Sequence, residues 1–123
     1  MRGGMDQARK NLRVWREAIS LAKAVYHVTA KLPDGEKFGL VTQMRRAAVS
    51  IPSNIAEGAA RQTKKDSLRF YVIARSPLSE LDTQLELCKC LNFLSTDHCV
   101  EMIQKMDAVD ALLSGLIRFQ RKI

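Results

Sequence analysis

A chain of 123 residues, 46% of them hydrophobic, is long enough for one core and too short for two independent globular units, so a single domain over 1–123 is expected. Lys and Arg number 20 against 13 Asp and Glu, and the formal charge of +7 makes an anionic partner, RNA or DNA first, the one to consider. No apolar run approaches the roughly 20 residues that span a bilayer, which excludes a membrane-spanning helix and sets the expected location in the cytoplasm.

Residues 1–11, beginning Met1-Arg2-Gly3-Gly4-Met5, are expected to form a flexible arm. Val14, Ala18, Leu21, Ala22, Val25, Val28 and Leu32 then recur at three-and-four spacing, the signature of one buried helical face. Pro33-Asp34-Gly35 supplies turn chemistry. A second helix carries Leu40, Met44, Ala47, Ala48, Ile51 and Ile55 and stops around Glu57-Gly58-Ala59, where Gly58 reads as an end signal.

Thr63-Lys64-Lys65-Asp66 has capping-box spacing and opens a third helix through Leu68, Tyr71, Val72, Leu78, Leu81, Leu85, Cys88 and Leu91. After the break at Asn92–Asp97, where Ser95 or Thr96 can cap, a fourth helix carries Cys99 or Val100, Ile103, Met106, Val109, Leu113, Leu116 and Ile117. Met44, Met102 and Met106 read as core filling.

Four amphipathic stretches with short connections predict an all-α, antiparallel, up-down-up-down four-helix bundle. Pro52 and Pro77 fall inside predicted helices. Because the apolar spacing continues through Ala48, Ile51 and Ile55 and through Ile73, Leu78 and Leu81, kinks are expected there; the alternative is six helices broken at both prolines.

The second helix has an unusual outer face. Arg46, Ser50, Ser53, Asn54 and Glu57 gather opposite the apolar stripe, and Ser and Asn are weaker helix formers than the long side chains of an ordinary solvated face. A subunit or partner interface on these five residues is the first reading; an interior helix whose Ser and Asn bond neighbouring carbonyls is the second. Trp15 serves equally as an interface anchor or as a cover for the bundle end.

The run Gln43-Met44-Arg45-Arg46-Ala47-Ala48-Val49-Ser50-Ile51-Pro52-Ser53-Asn54-Ile55-Ala56-Glu57-Gly58 resembles the hallmark of the four-helix bundle proteins encoded in intervening sequences of bacterial 23S ribosomal RNA genes, a family once labelled ribosomal. Leu12–Ala18, Phe70–Ser76, Leu78–Leu81 and Leu91–Leu94 extend the resemblance over about residues 12 to 118. It implies a left-handed antiparallel bundle assembling into a ring-like homopentamer. The chain is also similar, more distantly, to the accessory variability determinant of diversity-generating retroelements, a basic pentamer that binds nucleic acid and a reverse transcriptase. Pro77 departs from the family pattern, in which a small non-proline residue is expected, and bears on the straightness of helix three.

Charge position sharpens the functional expectation. Arg61, Lys64, Lys65 and Arg69 face only Asp66 between helices two and three; Arg9, Lys10, Arg13 and Arg16 enter helix one; Arg118, Arg121 and Lys122 leave helix four. In an up-down bundle these three clusters share one end, while Asp34, Glu36, Lys37, Lys89 and Asp97 nearly cancel at the other. Such an end engages phosphates without reading bases, and aromatics at 6% of the chain give no stacking platform. A protein-interaction scaffold with incidental charge is the alternative.

Catalysis, cofactors and metals are not expected. The sequence holds no Glu-x-x-His pair, and His27 near the end of helix one and His98 at the start of helix four are expected not to make a site between them. Asp82/Glu86 and Asp107/Asp110 read as surface charge, short of the converging carboxylates that a nucleotide-hydrolysing bundle needs for magnesium. The three cysteines, with Cys88-Lys89-Cys90 too tight for a redox pair or zinc knuckle, are expected as free thiols.

Overall fold

The computed structural model describes residues 8–9 and 12–122, so the expected flexible arm, apart from Ala8 and Arg9, lies outside the described residues, as does Lys10. The described chain is all-helical: α1 (Arg13–Thr29), a turn of 3-10 helix (Asp34–Glu36), α2 (Leu40–Ala59), α3 (Lys64–Ile73), α4 (Arg75–Cys90) and α5 (Thr96–Lys122). Helix α1 packs on α2 and α5, and both α2 and α5 pack on α3 and α4.

The two prolines behave differently. Pro52 sits buried inside an unbroken α2. At Pro77 the expected single helix is two, because the missing N–H would have served the Ile73 carbonyl four residues back, where α3 ends. Ala74 keeps φ −61° and ψ −17°, so the interruption is one residue deep, and Pro77 becomes the third residue of α4, a position whose N–H has no partner within its own helix.

Local chemistry fixes the other ends. The Thr63 hydroxyl accepts from the Asp66 N–H at 3.1 Å, and the Ser95 hydroxyl accepts from the His98 N–H at 3.2 Å, so Ser95 is the cap of α5. Helix α4 closes on Asn92 at φ 58°, with the Phe93 N–H bonded to the Cys88 carbonyl and the Asn92 N–H to the Lys89 carbonyl. This is the Schellman pattern, with Asn in the left-handed position that glycine usually takes.

One core joins the helices, and every apolar residue expected on helix one is buried. The expected stripes of helices three and four need correction: Val72, Ile73, Leu91 and Ile103 are exposed and Leu116 is partly buried, while of the alternatives Cys99 and Val100 it is Cys99 that turns inward. The face α5 buries runs through Cys99, Met102, Met106, Val109, Leu113 and Ile117. Ile103 is one residue, about 100° of helix rotation, past the inward Met102.

Gly58 has a tertiary role that its place near the end of α2 did not reveal. It lies inside α2, buried, and a Cβ on it would fall 2.4 Å from the Tyr71 ring and 3.0 Å from the Ser67 carbonyl oxygen. The glycine permits close approach of α2 and α3, and α2 stops within the expected Glu57-Gly58-Ala59 stretch, at Ala59. Gly58→Ala is expected to lower unfolding stability in urea by about 1–3 kcal/mol through overpacking, although Ala is favoured over Gly by about 1 kcal/mol in an open helix. A stability gain in that titration would mean that the close approach is absent.

Candidate nucleic-acid interface

The Thr63 cap sets the interior cluster. By starting α3 at Lys64 it places Lys64 and Lys65 in the first turn and Arg69 further along, all exposed. Arg61 lies just before, its guanidinium 5.1 Å from the Phe70 ring centre while that of Arg69 lies 4.8 Å from the same ring. A half-buried aromatic face thus holds two cations that would otherwise repel. Arg61 also donates to the Glu57 carboxylate at 2.7 Å and the Glu57 carbonyl at 3.1 Å, so one charge of the cluster is partly neutralised.

Lysines in the first turn of a helix oppose its dipole, at a cost of about 0.3–1 kcal/mol each, and Asp66 is the acidic residue in that turn of α3. Helix α1 likewise starts with exposed Arg13 and Arg16 and no acidic residue in its first turn. Arg9 is half-buried with its guanidinium 5.4 Å from the Trp15 ring, and both line a groove with Pro52, Ser53 and Ala56 of α2. The entry to α1 therefore lies along the last turns of α2. Arg118, Arg121 and Lys122 are exposed at the C-terminal end of α5, where cations complement the dipole.

The five residues expected at a subunit interface lie on the outside of α2: Arg46, Ser53 and Glu57 are exposed, Ser50 and Asn54 half-buried. Ser53 donates its hydroxyl to the Val49 carbonyl at 2.7 Å, and the Asn54 amide donates to the Ser50 carbonyl at 2.9 Å and hydroxyl at 3.1 Å. These back-bonds flank Pro52 on the turn that the proline disturbs. The groove beside them, about 320 Å³, is otherwise lined by Trp15, Ile19, Ala22 and Val49.

Several features escaped the sequence. Phe38 is 90% exposed in the connection before α2, although nothing in its spacing set it apart. Arg45 donates to the Thr29 hydroxyl at 2.9 Å and the Tyr26 carbonyl at 3.2 Å and lies 4.5 Å from the Tyr26 ring centre, closing the end of α1 from α2. His27 and His98, expected to share no site, line one cleft of about 500 Å³ between α1 and α5, because the end of one helix meets the start of the other. Asp82, Asp107 and Asp110 line a second cleft with Arg75, and Glu86 is not among its lining. Among the described residues no group of three or more His, Cys, Asp or Glu is placed to hold a metal ion, and no helix is long and apolar enough to cross a membrane.

The family profile of the 23S rRNA-intervening sequence protein matches residues 10–115 of the chain. Among solved structures, the chain is similar to a protein of unknown function from the S23 ribosomal protein family of Bacteroides thetaiotaomicron. The two are 21% identical and superpose with a TM-score of 0.79 over 85% of this chain and 97% of the other, a likeness of fold. No curated protein matches the chain.

The described thiols are free and unequal in environment. Cys90 is exposed, whereas Cys88 and Cys99 are buried, and Cys88 packs its sulfur 3.7 Å from that of Met44. Burial first, then the neighbouring Cys99 and Glu36, pushes the Cys88 thiol from 9.0 up to about 11. Buried and protonated, it is no nucleophile at neutral pH. Iodoacetamide at neutral pH is expected to alkylate Cys90 in the native chain and Cys88 and Cys99 only after denaturant is added, as mass spectrometry would read. Above pH 9.0 the unfolded chain loses the Cys88 proton that the folded chain retains, so stability is expected to fall as pH rises toward about 11. Cys88→Ala should flatten that alkaline slope in denaturation curves; an unchanged slope would assign it to other groups.

Proposed function

The chain belongs to the 23S rRNA-intervening sequence protein family, and from that premise we propose a non-enzymatic, oligomeric helical bundle that binds the backbone of RNA or DNA through a basic end. The finer architecture in this reading is a left-handed, antiparallel, up-down-up-down four-helix bundle in one domain, with α3 and α4 together forming the third member. Its location is the cytoplasm.

The observation that carries the reading is the cationic crowding around Phe70 and the start of α3, where Arg61, Lys64, Lys65 and Arg69 stand exposed at the positive end of a helix dipole. An anion relieves that arrangement by interacting with the lysines and the dipole together. The Trp15 groove supports bringing Arg9 and Arg13 to the same end. Register supports the third cluster: Lys105 reaches Ser20 at 3.5 Å, and Arg118 lies 13 residues, about 20 Å of helix, further along α5 toward the entry of α1. Repetition of this end around a homopentamer would multiply the field.

A protein-interaction scaffold is the second reading, and Phe38 together with the apolar groove between α1 and α2 favours it. Both readings use the α2 stripe of Arg46, Ser50, Ser53, Asn54 and Glu57 for contact between copies.

Binding of a short RNA and of a duplex DNA is expected to weaken steeply between about 50 and 200 mM salt, and each phosphate contact removed by Lys65→Ala or Arg69→Ala should reduce the log–log salt slope by about 0.7 to 0.9. Affinity that is flat across that range, or absent at both ends, rules out the nucleic-acid reading. Sedimentation at the same concentrations is expected to give a multiple of the chain mass, and Ser53→Glu, which places a charge on the exposed stripe, should shift it toward monomer while leaving the helical signal intact. A wild-type monomer, or a variant that stays assembled, would remove the interface from α2.

A further inference from the structure

The cleft between α1 and α5 lies away from the basic end and is built from two facing stripes. Lys23, His27 and Lys31 recur every four residues from α1 into its following turn, so they line up on one side. His98, Glu101 and Lys105, spaced three and then four apart, share one side of α5 from its first turn. Ala24 and Val28 contribute apolar surface between the stripes, and Lys105 is held toward α1 by its 3.5 Å contact with the Ser20 hydroxyl.

The charge in this concavity is not compensated. Three ammonium groups line it against the single carboxylate of Glu101, a surplus of two positive charges. Among the described residues neither the three lysines nor Glu101 form an ion pair. An ordinary solvated helix face intersperses carboxylates at i+4 from its lysines, and this pair of stripes does so once. Lysines gathered around one concavity add their fields there. Its volume of about 500 Å³ falls within the about 300–1,000 Å³ of small-molecule sites.

From these observations we propose that the α1/α5 cleft binds a small phosphomonoester. A phosphate monoester carries about −1.5 to −2 charge at neutral pH, which matches the surplus. Lys23, Lys31 and Lys105 supply donors to its oxygens. Both imidazoles and the Ala24–Val28 surface accommodate the organic part, and the Ser95-capped first turn of α5 adds the positive end of a helix dipole beside His98. Glu101 opposes the ligand and sets an upper limit on its charge.

The test uses the full chain and adenosine 5′-monophosphate as probe, by titration calorimetry at low ionic strength, with uncharged adenosine as control. The nucleotide is expected to bind once per chain and adenosine at least about ten-fold more weakly, the equivalent of about 1.4 kcal/mol. Lys23→Ser with Lys31→Ser, both exposed, should cost at least about ten-fold without moving the thermal melt, and Glu101→Gln should tighten binding several-fold. Lys65→Ser with Arg69→Ser, at the other end, should leave nucleotide binding unchanged, which keeps this result separate from that of the nucleic-acid reading. Overturning results are no nucleotide heat at millimolar concentration, equal loss from the Lys65/Arg69 variant, or no response to Glu101→Gln. A short RNA that loses affinity in the Lys23/Lys31 variant while the nucleotide does not bind would give the cleft to nucleic acid and also overturn the proposal.

Discussion

Helix α2 has to pack against α1, α3 and α4, and the residues that let it do so are small. Ala47, Ala48 and Gly58 are buried along it, and at Gly58 no side chain fits because the Tyr71 ring and the Ser67 carbonyl occupy the space. At the other end Arg45 reaches across to the last turn of α1, meeting the buried Thr29 hydroxyl and the Tyr26 carbonyl. Thr29 in turn donates to the Val25 carbonyl at 2.7 Å, so a buried polar group is satisfied within its own helix and from its neighbour. Close contact at one end and charge-assisted bonding at the other pin α2 in register, and the Phe70 cluster follows from where α3 is then held.

The parts of the fold legible in the sequence are those governed by local rules. Thr63 and Ser95 cap because a short hydroxyl side chain before a helix satisfies its own first N–H groups, and the stripe of α1 reads true because nothing interrupts its period. Errors arise where a distant residue decides. Gly58 has the composition of a stop signal, but its reason is the ring of Tyr71, thirteen positions on. Ile73 looks in phase until Pro77 ends α3 beneath it, leaving Ala74 buried and Ile73 outside. On α5, Met102 and Ile103 are equally apolar, and only the position of α1, α3 and α4 selects the one that turns inward.

The same division separates the two cationic regions. Arg61, Lys64, Lys65 and Arg69 are contiguous enough to be seen as a cluster before any fold is known, whereas the α1/α5 cleft combines one lysine stripe with residues some seventy positions further along. Neither half is unusual alone, since Lys-x-x-x-His-x-x-x-Lys on α1 reads as a solvated face. The end that the sequence makes nearly neutral, by counting Asp34, Glu36, Lys37, Lys89 and Asp97, omits the three lysines that the packing turns toward one another.

The polar stripe on α2 narrows what its surface is for. Had Ser53 and Asn54 been left with unmet hydrogen bonds, a partner would be needed to satisfy them; instead they serve the carbonyls of Val49 and Ser50 on either side of Pro52. Their small size leaves the outer face of α2 low beside a groove lined by Trp15, Ile19 and Val49, and the proposed contact between copies would use that face. Phe38 is 90% exposed, with the Lys37 ammonium 5.7 Å from its ring centre. In the proposed reading, that groove and Phe38 are the apolar area that contact between copies or with a partner would cover.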